Sequence, residues 1–294
     1  MQSSSSSAYV GLTLLWGVSF IMVEAVVSGF GWAPAVTLSC LLIGVTIAVL
    51  AVLTGSRLVF RFRWRRMVLL GAGLAVQLIG LAVAVDRLGT ALAAAAVGTV
   101  PLFMTVIGQM WGLERITGRV AGGLVAGFVG FVLVLLFPAG GISWDFIVGM
   151  CAGLMSALAG ALTSRYAVAR VSGCGRAELL SAAFLVAAVL TTPLALLFPG
   201  TGHIGLWEWL GLLLLGVVLG GFGYTLERGL REGAGPQFAT SARSGATIVA
   251  VVLGIVALRE VLSAGQVVGV LFLIGGCALI IGLAPVRALL TRRG

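Results

Sequence analysis

The chain has 294 residues, 60% hydrophobic and 9% charged, with a mean hydropathy of +1.19 and a formal net charge of +9. Soluble domains carry about 25% charged residues, so this composition excludes a water-solvated globule and calls for lipid as the main solvent. Lipid-facing backbone must satisfy its own hydrogen bonds, which leaves a helical bundle or a closed β-barrel; unbroken apolar runs of about 20 residues, without the alternation of barrel strands, select the bundle.

Ten apolar segments follow in chain order, at residues 9–28, 34–54, 66–86, 89–111, 119–137, 146–166, 178–198, 207–226, 236–257 and 264–284. Each spans roughly 30 Å at about 1.5 Å per residue, enough to cross the hydrocarbon of a bilayer. The expected fold is an all-α integral membrane protein of ten transmembrane helices, with connections too short for a soluble domain. Residues 1–8 lack the basic region of a cleavable leader, so none is expected.

Polar residues punctuate some segments and not others. Segment 1 carries Trp16 in mid-membrane, Ser19 one turn on, and Glu24 further out. Segment 3 has Gln77, segment 4 Thr99, segment 6 Ser156 and Thr163, segment 8 Tyr224, and segment 9 the turn Ser241, Arg243, Ser244. Segments 2, 5, 7 and 10 read as drier, so a central pathway is expected between the other six. Pro101 and Pro193 each remove a helix hydrogen bond and are expected to kink or hinge segments 4 and 7.

All 18 basic residues are Arg, and they set the orientation. The connections after segments 2, 4, 6 and 8, with the C-terminal tail, hold all but three of them; Arg87 and Arg259 lie on the other side and Arg243 lies within segment 9. Both termini are therefore expected to be cytoplasmic. The basic residues are scattered over short connections rather than gathered on one face, which argues against nucleic acid as a partner. Trp32, Trp64, Trp111, Trp144, Trp207 and Trp209 stand at segment ends, as an interfacial belt requires.

The two halves of the chain match. Glu114 and Glu260 stand 146 residues apart (260 − 114), and at that offset Gly89 pairs with Gly235, Gly108 with Gly254, Gly123 with Gly269 and Gly130 with Gly276. Five segments per half is odd, so the second half enters the membrane upside down relative to the first. Two inverted five-helix repeats are expected, 1–138 and 139–294. Such repeats are a construction of secondary transporters, which hold their solute near the midplane where the halves meet.

The motifs in order are Trp16-Gly17-Val18-Ser19-Phe20, Pro101 ahead of Glu114, the run 112–116 leading into Gly123, and Leu258-Arg259-Glu260 followed by Gly265-Gln266 and Gly269. Together they resemble the EamA family of the drug/metabolite transporter superfamily over essentially the whole chain, and most of all its bacterial amino-acid and metabolite exporters. The resemblance implies ten helices in two halves and export of amino acids or related metabolites across the inner membrane. Two positions depart from the family pattern: Glu24 stands where a basic residue is common, and Thr247 stands at the second-half counterpart of Pro101.

Charges inside a membrane cost about 2.5–3.5 kcal/mol or more, so each needs a role. Arg243, about 4–5 Å from its segment centre, suits a solute carboxylate through its two-pronged guanidinium, or else snorkels to the interface. Glu24, about 9 Å to the other side of its own centre, suits an ammonium group or a proton, or else reaches outer water. Ser and Thr commonly satisfy themselves on their own helix carbonyls, the structural alternative for Ser19, Thr99, Ser156 and Thr163. Trp16 either walls a cavity or packs. Glu114 and Glu260, at segment ends, read as cap or loop anchors.

Other classes fit less well. An organic-phosphate or nucleotide-sugar antiporter would want two or more midplane cations, and only Arg243 qualifies. A multidrug efflux cavity should be richer in aromatics. An enzyme would need a His, paired-carboxylate or Ser–base constellation, and the lone His203 sits in a Gly-rich connection. The four Cys fit no metal spacing, and no nucleotide-binding loop is present, so no metal or cofactor is expected. A small-molecule solute and membrane lipid are the expected partners; a non-transport scaffold is the remaining alternative.

Overall fold

The structure, a computed structural model, describes residues 2–54, 64–112, 117–170, 176–200, 202–224, 226, 227, 229 and 236–281; within these, the side chains of 2–6, 168–170, 176, 219, 236–241, 243, 244 and 281 lie outside the description. Every element is helical: α1 Gln2–Phe30, α2 Trp32–Leu53, α3 Trp64–Leu88, α4 Thr90–Val97, α5 Val100–Met110, α6 Gly118–Leu136, α7 Trp144–Arg170, α8 Arg176–Leu197 and α9 Leu206–Leu213. A π-helical stretch, Leu214–Phe222, continues α9, and α10 Pro236–Ala257 and α11 Ala264–Ile281 complete the set. With α4 and α5 counted as one span, and α9 with its π stretch as another, these are the ten expected segments. Seven spans are long and apolar enough to cross a membrane, and three shorter apolar helices accompany them.

Local chemistry marks the boundaries. Gly31 and Gly89 take φ of 80° and 81°, which lets single residues reverse the chain between α1 and α2 and between α3 and α4. The Thr117 hydroxyl accepts from Val120 N at 3.4 Å to start α6. At α11, Ser263 and Gln266 form a reciprocal capping box, with 2.9 and 3.1 Å contacts. Thr117 and Ser263 are related by the same 146-residue offset as the glycines. Trp64, Trp111, Trp144, Trp207 and Trp209 all stand exposed at helix ends.

Proline acts differently at its two sites. Segment 4 breaks at Gly98–Thr99 and restarts with Pro101 in the first turn of α5, where a missing N–H has no partner to lose. The expected kink is thus a full interruption. Pro193 sits on the exposed side of α8, which runs through it.

Packing repeats on a five-segment shift. α1 packs along α10 as α4 and α5 pack along α7. α3 packs on α7 and α8, as α9 and its π stretch pack on α1 and α2. The pairs α2 with α8, α6 with α11 and α4 with α10 map onto themselves, whereas the contacts of α1, α2 and α3 with one another have no counterpart of like extent among the described residues. At the α6–α11 contact a Cβ on Gly123 would meet Gly276 O at 2.8 Å, and one on Gly130 would meet Gly269 O at 2.4 Å. The glycines matched at the offset thus face each other in exchanged order, letting the two backbones touch.

Candidate functional site

A narrow cleft of about 80 Å³ opens between α1, α2, α3, α8 and the π stretch. Its aromatic wall forms where Trp16 meets Tyr224 edge-on, with ring centroids 5.0 Å apart, and Tyr224 meets Phe184 at 5.3 Å. Val23 and Val27 of α1, Ile43 of α2, Leu78 and Leu81 of α3 and Leu215 of the π stretch line the rest. Ser19, Ser39 and Tyr224 are the lining residues that carry hydroxyls, and no charged residue lines the cleft among those described. Such a space takes an apolar body and leaves polar recognition to its ends. Leu215 and Gly220 of the π-helical stretch line the cleft, and Gly220 lies close against Ile43; π insertions are frequent at functional sites.

Three expected site residues reach this cleft: Trp16, Ser19 and Tyr224. Ser19 also donates to Trp16 O at 2.6 Å, so its hydroxyl is partly engaged on its own helix. The other polar positions are spent on packing. Ser156 donates to Gln77 O at 2.7 Å, Gln77 lies over Gly160, and Thr163 lies over Gly73, all in the α3–α7 contact. Thr99, 1% exposed, donates to Ala96 O at 2.7 Å and closes the break in segment 4. Ser241, Arg243 and Ser244 lie on α10, their side chains outside the described ones.

The pathway expected between segments 1, 3, 4, 6, 8 and 9 differs from the cleft found. Segments 2 and 7 contribute Ser39, Ile43 and Phe184, while segments 4 and 6 pack behind. Their apparent dryness is misleading, because the cleft itself is apolar. Ser39 in particular was not legible as a lining residue: one serine among Leu, Ile and Val does not report which way it points.

Glu24 turns away from the cleft. Its carboxylate accepts from the Thr90 hydroxyl at the start of α4. Glu260, in the connection between α10 and α11, accepts from Thr90 N at 2.6 Å and Ala91 N at 2.7 Å. The two carboxylates therefore anchor α1 and the α10–α11 connection to one helix N-terminus, where negative charge is favoured. Glu260 was expected as a cap, and it caps a helix of the other half. Burial pushes its carboxyl above the ordinary value; the Ala91 and Thr90 amides pull it down, and Glu24 raises it further. Glu114 lies outside the described residues. At the same end of the bundle Arg87 pairs with Asp145, joining α3 to α7.

Two ionisable groups went unrecognised in the sequence. Arg165, counted with the connection after segment 6, lies inside α7, and its Nε and Nη2 donate to Met104 O of α5 at 3.2 and 2.8 Å. Glu227, 3% exposed, is the one buried ionisable side chain among the described residues apart from the cysteines. Its neighbour Arg228 made it read as the end of a segment. Among the described residues no group of three His, Cys, Asp or Glu could hold a metal ion.

Helical spans packed around a cleft, with one span interrupted and another π-helical, define a polytopic helical membrane protein. Residues 144–282, just under half of the chain, match the EamA-like transporter family. One crystal structure of a protein superposes over 100% of this chain and 99% of its own, with a TM-score of 0.69 at 21% sequence identity, a likeness of fold. No curated protein matches the chain.

Proposed function

We propose that the protein exports small zwitterionic metabolites, foremost amino acids with apolar side chains, by alternating exposure of the cleft as the two halves, 1–138 and 139–294, rock against each other. The observation that carries this reading is the cleft itself. It lies where α1, α2 and α3 of the first half meet α8 and the π stretch of the second, and its walls suit an apolar side chain. Inverted halves of this kind hold solute at their interface. Arg243, on α10 beside α1, is the proposed partner of the solute carboxylate. The Arg-rich connections favour a bacterial cytoplasmic membrane with both termini inside.

The aromatic wall also favours a second reading, efflux of amphipathic apolar compounds. The antiporter of organic phosphates is disfavoured, because a dianion finds no described cation in the cleft lining. The test is uptake of labelled leucine and phenylalanine into proteoliposomes, with and without a pH gradient, wild type beside Tyr224→Ala and Arg243→Ala. Saturable flux weakened in both variants supports the amino-acid reading. Inhibition by lipophilic cations without amino-acid flux favours the second.

A further inference from the structure

We infer that Glu227 binds the ammonium group of the solute at the end of the cleft nearest the Arg-rich connections. This rests on the proposed transport reading and adds to it the partner of the positive charge. An ammonium group entering a membrane protein needs a carboxylate, and Glu24, whose carboxylate is engaged on Thr90 at the far end, faces away from the cleft.

Glu227 has the required position. Tyr224 walls the cleft, and Glu227 follows it by one helical turn, so the two side chains are neighbours on one helix face. At 3% exposure the carboxylate is withdrawn from water, where a charge-assisted hydrogen bond is strongest. Holding a charge there is costly in hydrocarbon, and such a residue calls for a functional explanation. The adjoining Leu226 packs, with Tyr9 and Trp16, against the buried cluster of Leu12 and Ala242. Ala242 precedes Arg243 on α10. This cluster draws the turn that carries Glu227, α1 and the part of α10 around Ala242 into one packed group. A carboxylate one turn from the aromatic wall, with Arg243 as the proposed partner of the solute carboxylate, matches the three parts of an apolar amino acid.

Glu227 makes contacts within the protein, so a solute ammonium exchanges with them or joins them. That exchange acts on the junction of α1, α10 and the turn after the π stretch, which couples occupancy of the cleft to the packing of the two halves.

The test uses the full-length protein in detergent, with phenethylammonium as the probe, followed by calorimetry. Wild type binds it saturably, and Glu227→Gln, which keeps size and hydrogen bonding, binds about ten-fold or more weakly, as expected for one lost charge-assisted contact. Neutral 2-phenylethanol binds both proteins alike, which separates loss of charge recognition from loss of fold. Equal phenethylammonium affinity in the two proteins, or no saturable binding to monodisperse wild type, overturns the assignment. Leucine flux in proteoliposomes is read in parallel. Flux with unchanged amine affinity keeps the transport reading and discards Glu227, whereas Glu227-dependent amine binding without leucine flux keeps the site and discards the amino-acid substrate.

Discussion

Single residues at the two ends of the bundle do different work. Glu260 satisfies two backbone amides that begin α4, and burial still leaves its carboxyl above its ordinary value of 4.5. A raised folded-state pKa means that the folded protein holds the proton more tightly than the unfolded chain. Its contribution to stability is full below the ordinary value and is lost as pH rises through the raised one. Thermal unfolding across that window should show wild type losing stability relative to Glu260→Gln as pH rises; parallel curves would refute the assignment. In the cleft, Tyr224→Ala removes the ring that joins Trp16 to Phe184, so KM for an apolar amino acid should rise about ten-fold, the effect of about 1.4 kcal/mol. Trp16 and Tyr224 were legible in the sequence because polar-tipped aromatics in mid-membrane are uncommon. Ser156 and Thr163 could not be assigned from sequence, since a hydroxyl that ties helices together looks the same there as one that meets a solute. Glu227 was hidden beside an arginine at a segment end.

Helices were legible to within a few residues because bilayer thickness imposes their length. Their faces were not, since lipid and protein interior are equally apolar and periodicity carries little contrast. The π stretch Leu214–Phe222 has no compositional mark that distinguishes it from the helix before it. The glycine matches, by contrast, gave real contacts. At Gly130 an added Cβ would lie 2.4 Å from Gly269 O and 2.5 Å from Leu273 N, both backbone atoms that cannot swing aside. Gly130→Val should therefore destabilise the α6–α11 pair by roughly 1–3 kcal/mol or more. Gly122→Val on the same helix, where nothing lies within 4 Å, is the control and should melt near wild type. Equal melting of both variants would mean that the backbone contact is not made.

At the scale of the whole molecule, the main helix contacts are related by a shift of five segments, and the 146-residue offset joins Thr117 to Ser263 and Gly123 to Gly269. This is the pattern expected of the two proposed halves, and the orientation read from arginine is a separate proposal with its own test. In a cysteine-free background, Arg61→Cys should react with an impermeant thiol reagent only from the cytoplasmic side and His203→Cys only from the outside. Labelling of both from one side would overturn the topology.

The central claim is that the cleft between the halves is the solute path, and the most direct test is its accessibility from each side in turn. Ser39, buried in the cleft wall, is the position to replace by cysteine, in a cysteine-free protein reconstituted in known orientation. The account predicts that an impermeant thiol reagent reaches this residue from either side of the membrane and that a transported amino acid slows the reaction. Labelling from one side only, or none, while amino-acid flux persists, would contradict it.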